Sequence, residues 1–230
     1  MKKLFLAAVL SAVIFLPAIS LAESTHVIDT PTTGMLDYGA YDLNFRLFSA
    51  GGILTRLDFG VFKMVNLGFG WELRNLIGTN AVTVAPPGLD IKVRPFAGDM
   101  VLPSLAIGYD GQGNFYDKDK QEFAQKEKGI YMVLGREVFF PGLEAHLGAN
   151  INDFKSGNVL GFASSIYNIE DKFFFLAEYD NFSTFDTARF NAGVKFFIVE
   201  NLSVDLAVRD IAAAGRSSER VININYTGRF

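Results

Sequence analysis

Stretches of strictly alternating apolar and polar residues recur along this chain, and they constrain its fold more than any other feature. Residues 202–209 read LSVDLAVR, and residues 189–198 read RFNAGVKFFI. A period of two places alternate side chains on opposite faces of a β-strand. Hydrophobic residues make up 50% of the chain, yet nothing after residue 22 approaches the roughly 18 consecutive apolar residues of a membrane helix. Hydrophobicity spread over every second residue is typical of a membrane-spanning β-barrel.

The pattern predicts an all-β fold, a transmembrane up-and-down antiparallel β-barrel of about twelve strands. Each predicted strand is close to the roughly 9–11 residues that a tilted strand needs to cross a bilayer. The intervals between strands alternate between short and long, as expected for turns at one end of a barrel and loops at the other. Ten strands is the alternative, if residues 89–109 do not form two. The predicted strands are roughly 39–48, 53–62, 66–75, 89–96, 102–109, 129–138, 143–152, 159–168, 172–181, 187–198, 201–209 and 219–230.

A soluble β-sandwich would also alternate, and it is the competing fold. In that case the polar faces would point outward and the apolar faces would meet in a core. The length of the strands and the alternation of short and long connections favour the barrel.

The N-terminus has the features of a secretory signal. Two lysines precede a nearly unbroken apolar run from Leu4 to Leu16, and small residues end the segment at Ala22. The run is too short for a lasting membrane helix. The chain has no cysteine, which excludes disulfides and a cysteine-linked lipid anchor. The predicted organisation is a signal peptide at 1–22 with cleavage near Ala22, a short periplasmic N-terminal segment at 23–38, and the barrel at 39–230.

The last strand alternates to the end of the chain. Ile222, Ile224 and Tyr226 alternate with polar residues, and the last residue is Phe230. A terminal strand that ends in Phe resembles the targeting strand of bacterial outer-membrane β-barrels. The resemblance implies residence in the outer membrane among lipid and lipopolysaccharide, and folding by the barrel-assembly machinery, after the Sec-type export that the N-terminal signal predicts.

A second resemblance covers two short stretches. Residues 30–39 (TPTTGMLDYG) and 104–111 (SLAIGYDG) are similar to parts of an outer-membrane barrel family associated with exopolysaccharide production. This resemblance implies an accessory role in polysaccharide export, although the chain is shorter than typical members of that family.

Alternation predicts which charged side chains point into the lumen, and their positions along the strands place them in the outer half of the barrel. In one interpretation they form a constriction whose transverse field selects small polar solutes. In the other they pair and close the lumen; a twelve-stranded barrel lies between the filled small barrels and the open porins. The predicted lumen-lining residues are Arg46, Arg56, Asp58, Glu72, Arg74, Asp90, Lys92, Arg94, Glu178, Asp180, Arg189 and Arg209.

The longest outer loop, 111–128, is rich in charge. We expect it to be a solvated surface element. The alternative is that it folds into the mouth of the barrel, as loops do in some barrels.

No catalytic or cofactor motif is evident. The chain is mildly acidic, with 21 basic and 25 acidic residues, which argues against nucleic acid as a partner. No Cys/His cluster has the spacing of a metal site, and no glycine-rich loop precedes a helix. The sequence therefore predicts a non-enzymatic barrel without a cofactor, either a narrow passive channel for small polar solutes or a closed structural barrel. The alternatives are an outer-membrane hydrolase that uses His146 beside Glu144, or an accessory barrel in polysaccharide export.

Overall fold

The structure is a computed structural model of the chain, and it describes residues 23–99, 101–113, 116–123, 125–183, 188–211, 215 and 217–230. The predicted signal peptide, 1–22, lies outside the described residues. Within them no helix is long and apolar enough to cross a membrane. The strands are β1 (Ala40–Phe48), β2 (Gly52–Phe62), β3 (Val65–Arg74), β4 (Thr83–Val84), β5 (Gly88–Phe96), β6 (Ser104–Asp110), β7 (Tyr116–Asp117), β8 (Glu122–Phe123), β9 (Gly129–Glu137), β10 (Leu143–Ile151), β11 (Leu160–Ile169), β12 (Phe173–Asp180), β13 (Arg189–Val199), β14 (Leu202–Arg209) and β15 (Glu219–Arg229).

Twelve long strands form a closed antiparallel up-and-down barrel, as the alternation predicts. Each long strand pairs with its neighbours along the chain, and β4, β7 and β8 are two-residue strands in the loops. The barrel closes where β1 pairs with β15, from Ala40 opposite Arg229 to Leu47 opposite Ile222. Closure leaves no exposed strand edge, so the backbone hydrogen bonds are satisfied without water.

The two ends of the barrel differ. One end carries the connections 63–64, 97–103, 138–142, 170–172 and 200–201, and we call it the short-turn end. The other end carries 75–87, 111–128, 152–159, 181–188 and 210–218, and we call it the long-loop end. The only short connection at the long-loop end, among the described strands, is 49–51. The first and last barrel strands begin and end at the short-turn end, as the strand count predicts.

The distribution of apolar and polar side chains is the opposite of that in a soluble protein. Apolar side chains face outward: Leu147 is 57% exposed, Met132 51% and Leu206 50%. The side chains that alternate with them point inward and are largely polar, as with Asp205 and Arg209 on β14, both of which are buried. An apolar outer surface around a polar interior is the arrangement of a barrel in lipid. The sandwich alternative, which needs the opposite arrangement, is therefore wrong.

One sector of the interior is filled by aromatic rings that lie over glycines. Phe162 on β11 lies directly opposite Gly148 on β10, and the hydroxyl of Tyr131 on β9 lies over Gly108 on β6. Both rings are buried, with Ala106 and Val133, in one apolar cluster inside the barrel. Because glycine has no side chain, the rings can lie flat against the wall, and this sector contributes no charge to the lumen.

Candidate functional site

The N-terminal hairpin, residues 23–36, occupies the lumen. Its two arms meet through a bridge between His26 and Pro31 and through the hydrogen bonds from Val27 N to Thr30 O and from Thr32 N to Thr25 O. The sequence suggests a periplasmic position for 23–38, ahead of the barrel. The structure differs, because the hairpin contacts inward side chains of β1, β5, β6, β12, β13 and β14.

The tip of the hairpin places a carboxylate among three arginines. Asp29 accepts hydrogen bonds from Arg46 Nη1 at 2.7 Å and from Arg209 Nε at 2.5 Å, and Arg189 Nη2 lies 3.9 Å away. Burial by itself raises the pKa of Asp29, but the three guanidinium groups more than offset it and hold the pKa well below the ordinary range. Asp29 is therefore ionised, and it pairs with three arginines of the wall.

Glu178 on β12 receives the backbone of the tip. Its Oε1 accepts hydrogen bonds from the backbone N–H groups of Ile28 (2.6 Å), Asp29 (2.8 Å) and Thr30 (2.8 Å) and from the Thr30 hydroxyl at 2.8 Å. Its Oε2 accepts from Asn191 at 3.0 Å. Glu178 is 1% exposed, and these donors take the place of the water it loses.

The long loop 111–128 joins this network. Glu127, near the end of the loop, contacts Arg189 at 2.5 Å and Arg209 at 3.2 Å. The same arginines also contact Asp180 at 2.7 Å and Glu219 at 2.8 Å. Glu127 is buried, so this part of the loop does not follow the prediction of a solvated surface element.

A second cluster of polar side chains lies on the opposite side of the lumen. Lys128 donates to Asp110 Oδ2 at 2.7 Å, and Gln112 donates through Nε2 to Asp58 Oδ1 at 2.9 Å. Gln112 is buried at the start of the loop 111–128, so both ends of that loop fold inward. His26 Nε2 lies 3.6 Å from Asp110 Oδ2. Burial is the main influence on His26 and lowers its pKa to about 3, so the imidazole is neutral at pH 7.

The predicted lumen-lining residues divide into two groups in the structure. Arg74 is partly exposed at the long-loop end, where its side chain pairs with Glu72. Arg94 lies at the short-turn end, not in the outer half as the sequence suggests, because β5 runs from Gly88 at the long-loop end towards Phe96. There it contacts Glu23 at 2.5 Å. The other ten are buried: Arg46, Arg56, Asp58, Glu72, Asp90, Lys92, Glu178, Asp180, Arg189 and Arg209.

Two cavities that the described residues form lie near opposite ends of the barrel. The cavity at the long-loop end has a volume of about 410 Å³ and is lined by Arg46, Arg74, Arg209, Glu72 and Glu219. The cavity at the short-turn end has a volume of about 290 Å³ and is lined by Glu23, Thr33, Arg94, Ser104 and His146. The hairpin and its ion pairs lie between the two.

His146 lies beside the short-turn cavity. It is opposite Ser164 in the register of β10 and β11, and Glu144 Oε2 is 3.7 Å from its Nε2. Neither ring nitrogen of His146, nor Ser164 Oγ, has a hydrogen-bond partner among the described residues. A nucleophile hydrogen-bonded to its base, which defines a serine hydrolase site, is not formed there.

Sequence reasoning missed Asp29, His26, Gln112 and Glu127. Alternation cannot find them, because they lie in the hairpin and in a loop. A weak signal was present in the run Asp29-Thr30-Pro31, which is typical of a turn, but nothing local indicates that the turn enters the lumen.

The fold is that of solved outer-membrane porins. The chain is similar to the KdgM porin, with a TM-score of 0.54 and 11% identity over 81% of this chain and 98% of that one. It is also similar to the NanC porin, with a TM-score of 0.50 and 11% identity over 83% of this chain and 99% of that one. No protein-family model and no curated protein matches the sequence. At this identity the likeness shows the fold alone, and the resemblance to the exopolysaccharide-associated family gains no support.

Proposed function

We propose that the protein is an outer-membrane channel, narrow and passive, for small polar solutes, and that the N-terminal hairpin closes it. The observation that carries the proposal is the hairpin itself, which lies between two polar cavities in a barrel with the fold of porins. The names of the similar proteins suggest the same general activity. A barrel with a purely structural role needs neither cavity.

The same proposal implies where the barrel lies in the cell and how it is oriented. The apolar outer surface suits lipid and lipopolysaccharide, with the long loops outside and the short turns in the periplasm. Sec-type export with cleavage near Ala22 would leave Glu23 at the start of the hairpin. The terminal strand, with Ile222, Ile224, Tyr226 and Phe230, would be recognised by the barrel-assembly machinery.

Polar contacts hold the tip of the hairpin at Asp29 and Thr30. Val27 and Ile28 pack in an apolar cluster of the barrel interior, so release of the hairpin would have to expose both kinds of surface. Burying ion pairs such as those of Asp29 brings little net stability, since the desolvation of both charges offsets most of their attraction. When the hairpin leaves, water can hydrate Arg46 and Glu178 in its place. The chain connects the hairpin to the wall only through residues 37–39, so displacement would not require any barrel strand to unfold.

A closed structural barrel is the second candidate. It is favoured by the continuous ion-pair network in which Glu127 and Asp29 share Arg189 and Arg209. The hydrolase that uses His146 and the accessory role in polysaccharide export have no such observation in their favour.

Single-channel conductance in planar bilayers tests the proposal, with the purified protein compared with Asp29→Asn. Removing one partner of a buried ion pair typically costs about 3–5 kcal/mol, so the tip should dock less firmly. We expect rare openings of the wild type and at least a tenfold higher open probability of Asp29→Asn. The matched control is Asp37→Asn, which changes the same residue type just beyond the hairpin, where Asp37 pairs with Arg229 at the surface.

Three outcomes would count against a channel that the hairpin closes. If a variant that lacks residues 23–36 folds but does not conduct, the lumen is closed by its wall or by the loop 111–128, and the hairpin is not the gate. If Asp37→Asn opens the channel as much as Asp29→Asn, the tip is not the gate. If the wild type conducts steadily, the hairpin does not close the lumen.

A further inference from the structure

We propose that His26, Asp90 and Asp110 form a binding site for a divalent transition-metal ion such as Zn²⁺, and that the ion joins the hairpin to the barrel wall. His26 belongs to the hairpin, whereas Asp90 and Asp110 lie on the paired strands β5 and β6. The inference goes beyond the proposed function, because it concerns a ligand of the hairpin and does not depend on conduction.

The geometry suits a metal better than a hydrogen bond. The ligand atoms of the three residues all lie within 4.8 Å of one another. His26 Nε2 and Asp110 Oδ2 are 3.6 Å apart, which is too long for a hydrogen bond. Zinc bonds to nitrogen and oxygen of about 2.0–2.2 Å place two tetrahedral ligands roughly 3.3–3.6 Å from each other. The observed separation therefore matches the edge of such a site.

Two polar atoms of these three residues are buried without a partner. Asp90 Oδ1 and His26 Nε2 have no hydrogen-bond partner among the described residues, and Asp90 is 4% exposed. A buried carboxylate oxygen without a donor is costly, and a cation at this point would compensate for it. The other ring nitrogen, His26 Nδ1, lies 3.3 Å from the Thr25 hydroxyl. A partner at that nitrogen orients the ring and leaves Nε2 as the ligand.

Three basic groups lie nearby, and none of them donates a hydrogen bond to Asp90 in the described structure. Lys92 Nζ donates to the carbonyls of Thr25 at 2.6 Å and Gly34 at 3.4 Å. Arg56 Nε donates to Asn44 at 3.2 Å. Lys128 uses one lone pair of Asp110 Oδ2, and a carboxylate oxygen has a second one available. These bases lower the affinity for a cation, and only Lys128 donates to a proposed ligand atom, Asp110 Oδ2, whose second lone pair it leaves available.

The donor set indicates the class of ion. One imidazole nitrogen with two carboxylate oxygens suits zinc and similar first-row metals. Calcium takes about six to eight oxygen ligands, which three residues do not provide. A fourth position would remain for water.

Isothermal titration calorimetry with ZnCl₂ tests the site, on protein purified in detergent with an affinity tag that contains no histidine. The variants are His26→Gln and Asp90→Asn. The matched control is His146→Gln, since the chain has two histidines and the second lies in the short-turn cavity. We expect one Zn²⁺ per chain in the wild type and in His146→Gln, and at least tenfold weaker binding in His26→Gln and Asp90→Asn.

The visible spectrum of bound Co²⁺ reports on the coordination of the metal, so it separates the loss of a ligand from a merely structural effect of the substitution. We expect the intense bands of a four-coordinate site in the wild type and their loss in His26→Gln. The proposal is overturned if folded wild type shows no saturable binding, if His26→Gln binds as tightly as the wild type, or if the signal depends on His146. Folding of each variant is verified by the faster migration of unheated barrels on gels, so a misfolded variant is not counted. If the protein binds Zn²⁺ but shows no conductance in the bilayer, only the proposed channel function is refuted.

Discussion

Individual charged residues in this protein are buried, and they are stabilised by one another across long sequence separations. Glu178 illustrates this most clearly, because one carboxylate oxygen accepts three backbone N–H groups and a hydroxyl from the hairpin tip. Hydrogen bonds to an ionised acceptor are about twice as strong as neutral ones. The carboxylate charge should therefore contribute more to the docking of the hairpin than the shape of the side chain does.

Glu178→Gln tests this at the residue scale. The chain has no cysteine, so Val27→Cys introduces a single thiol at a position that is 2% exposed. In that background we expect Glu178→Gln to raise the rate of labelling by a water-soluble maleimide about tenfold, because the tip undocks more often. Glu144→Gln, whose side chain is half exposed, serves as the control and should leave the rate unchanged. Equal rates with and without Glu178→Gln would mean that the charge does not hold the tip.

At the scale of elements, the strands β10 and β11 depend on the pairing of a glycine with an aromatic ring. A Cβ built at Gly148 would lie 2.6 Å from the Met132 carbonyl oxygen and would overlap the ring of Phe162. Added volume in a packed interior typically costs about 1–3 kcal/mol. We expect Gly148→Val to lower the free energy of unfolding in urea by that amount, followed by the fluorescence of the single tryptophan. The neighbouring Ala149→Val, on the outward face, should have little effect, and a comparable loss there would contradict this explanation.

For the whole molecule, the decisive property is the apolar outer surface. Leu206 lies in the middle of β14 and is 50% exposed, so it should face the hydrocarbon region. A lysine near the bilayer midplane costs about 2–4 kcal/mol. We therefore expect Leu206→Lys to lower the stability of the barrel refolded in liposomes by this amount, measured by urea titration. Val82→Lys, at a similarly exposed site in a long loop, should be tolerated. If both substitutions are neutral, the outer surface does not face lipid.

The barrel could be predicted from the sequence because its signal is local. In a strand, whether a side chain points inward depends only on its position in the alternation, so the inward direction of Glu178, Asp180 and Arg189 follows from their neighbours. The spacing of connections favours twelve strands over ten, and the structure decides for twelve. The height of Arg94 in the barrel was predicted wrongly. β5 runs from the long-loop end to the short-turn end, so a residue late in this strand, such as Arg94, lies near the short-turn end.

The sequence by itself determined a barrel of about twelve strands with a polar interior and an apolar exterior, because a period of two recurs in most of the strands. Only the tertiary structure decided what occupies the lumen. Residues 23–36 have no periodic pattern, and the hydrogen bond that holds Ile28 is to Glu178, a partner 150 residues away in the chain. The juxtaposition of His26 with Asp90 and Asp110 likewise has no sequence spacing that could reveal it. Closure of the barrel brings such distant residues together, and no local pattern specifies which of them will meet inside.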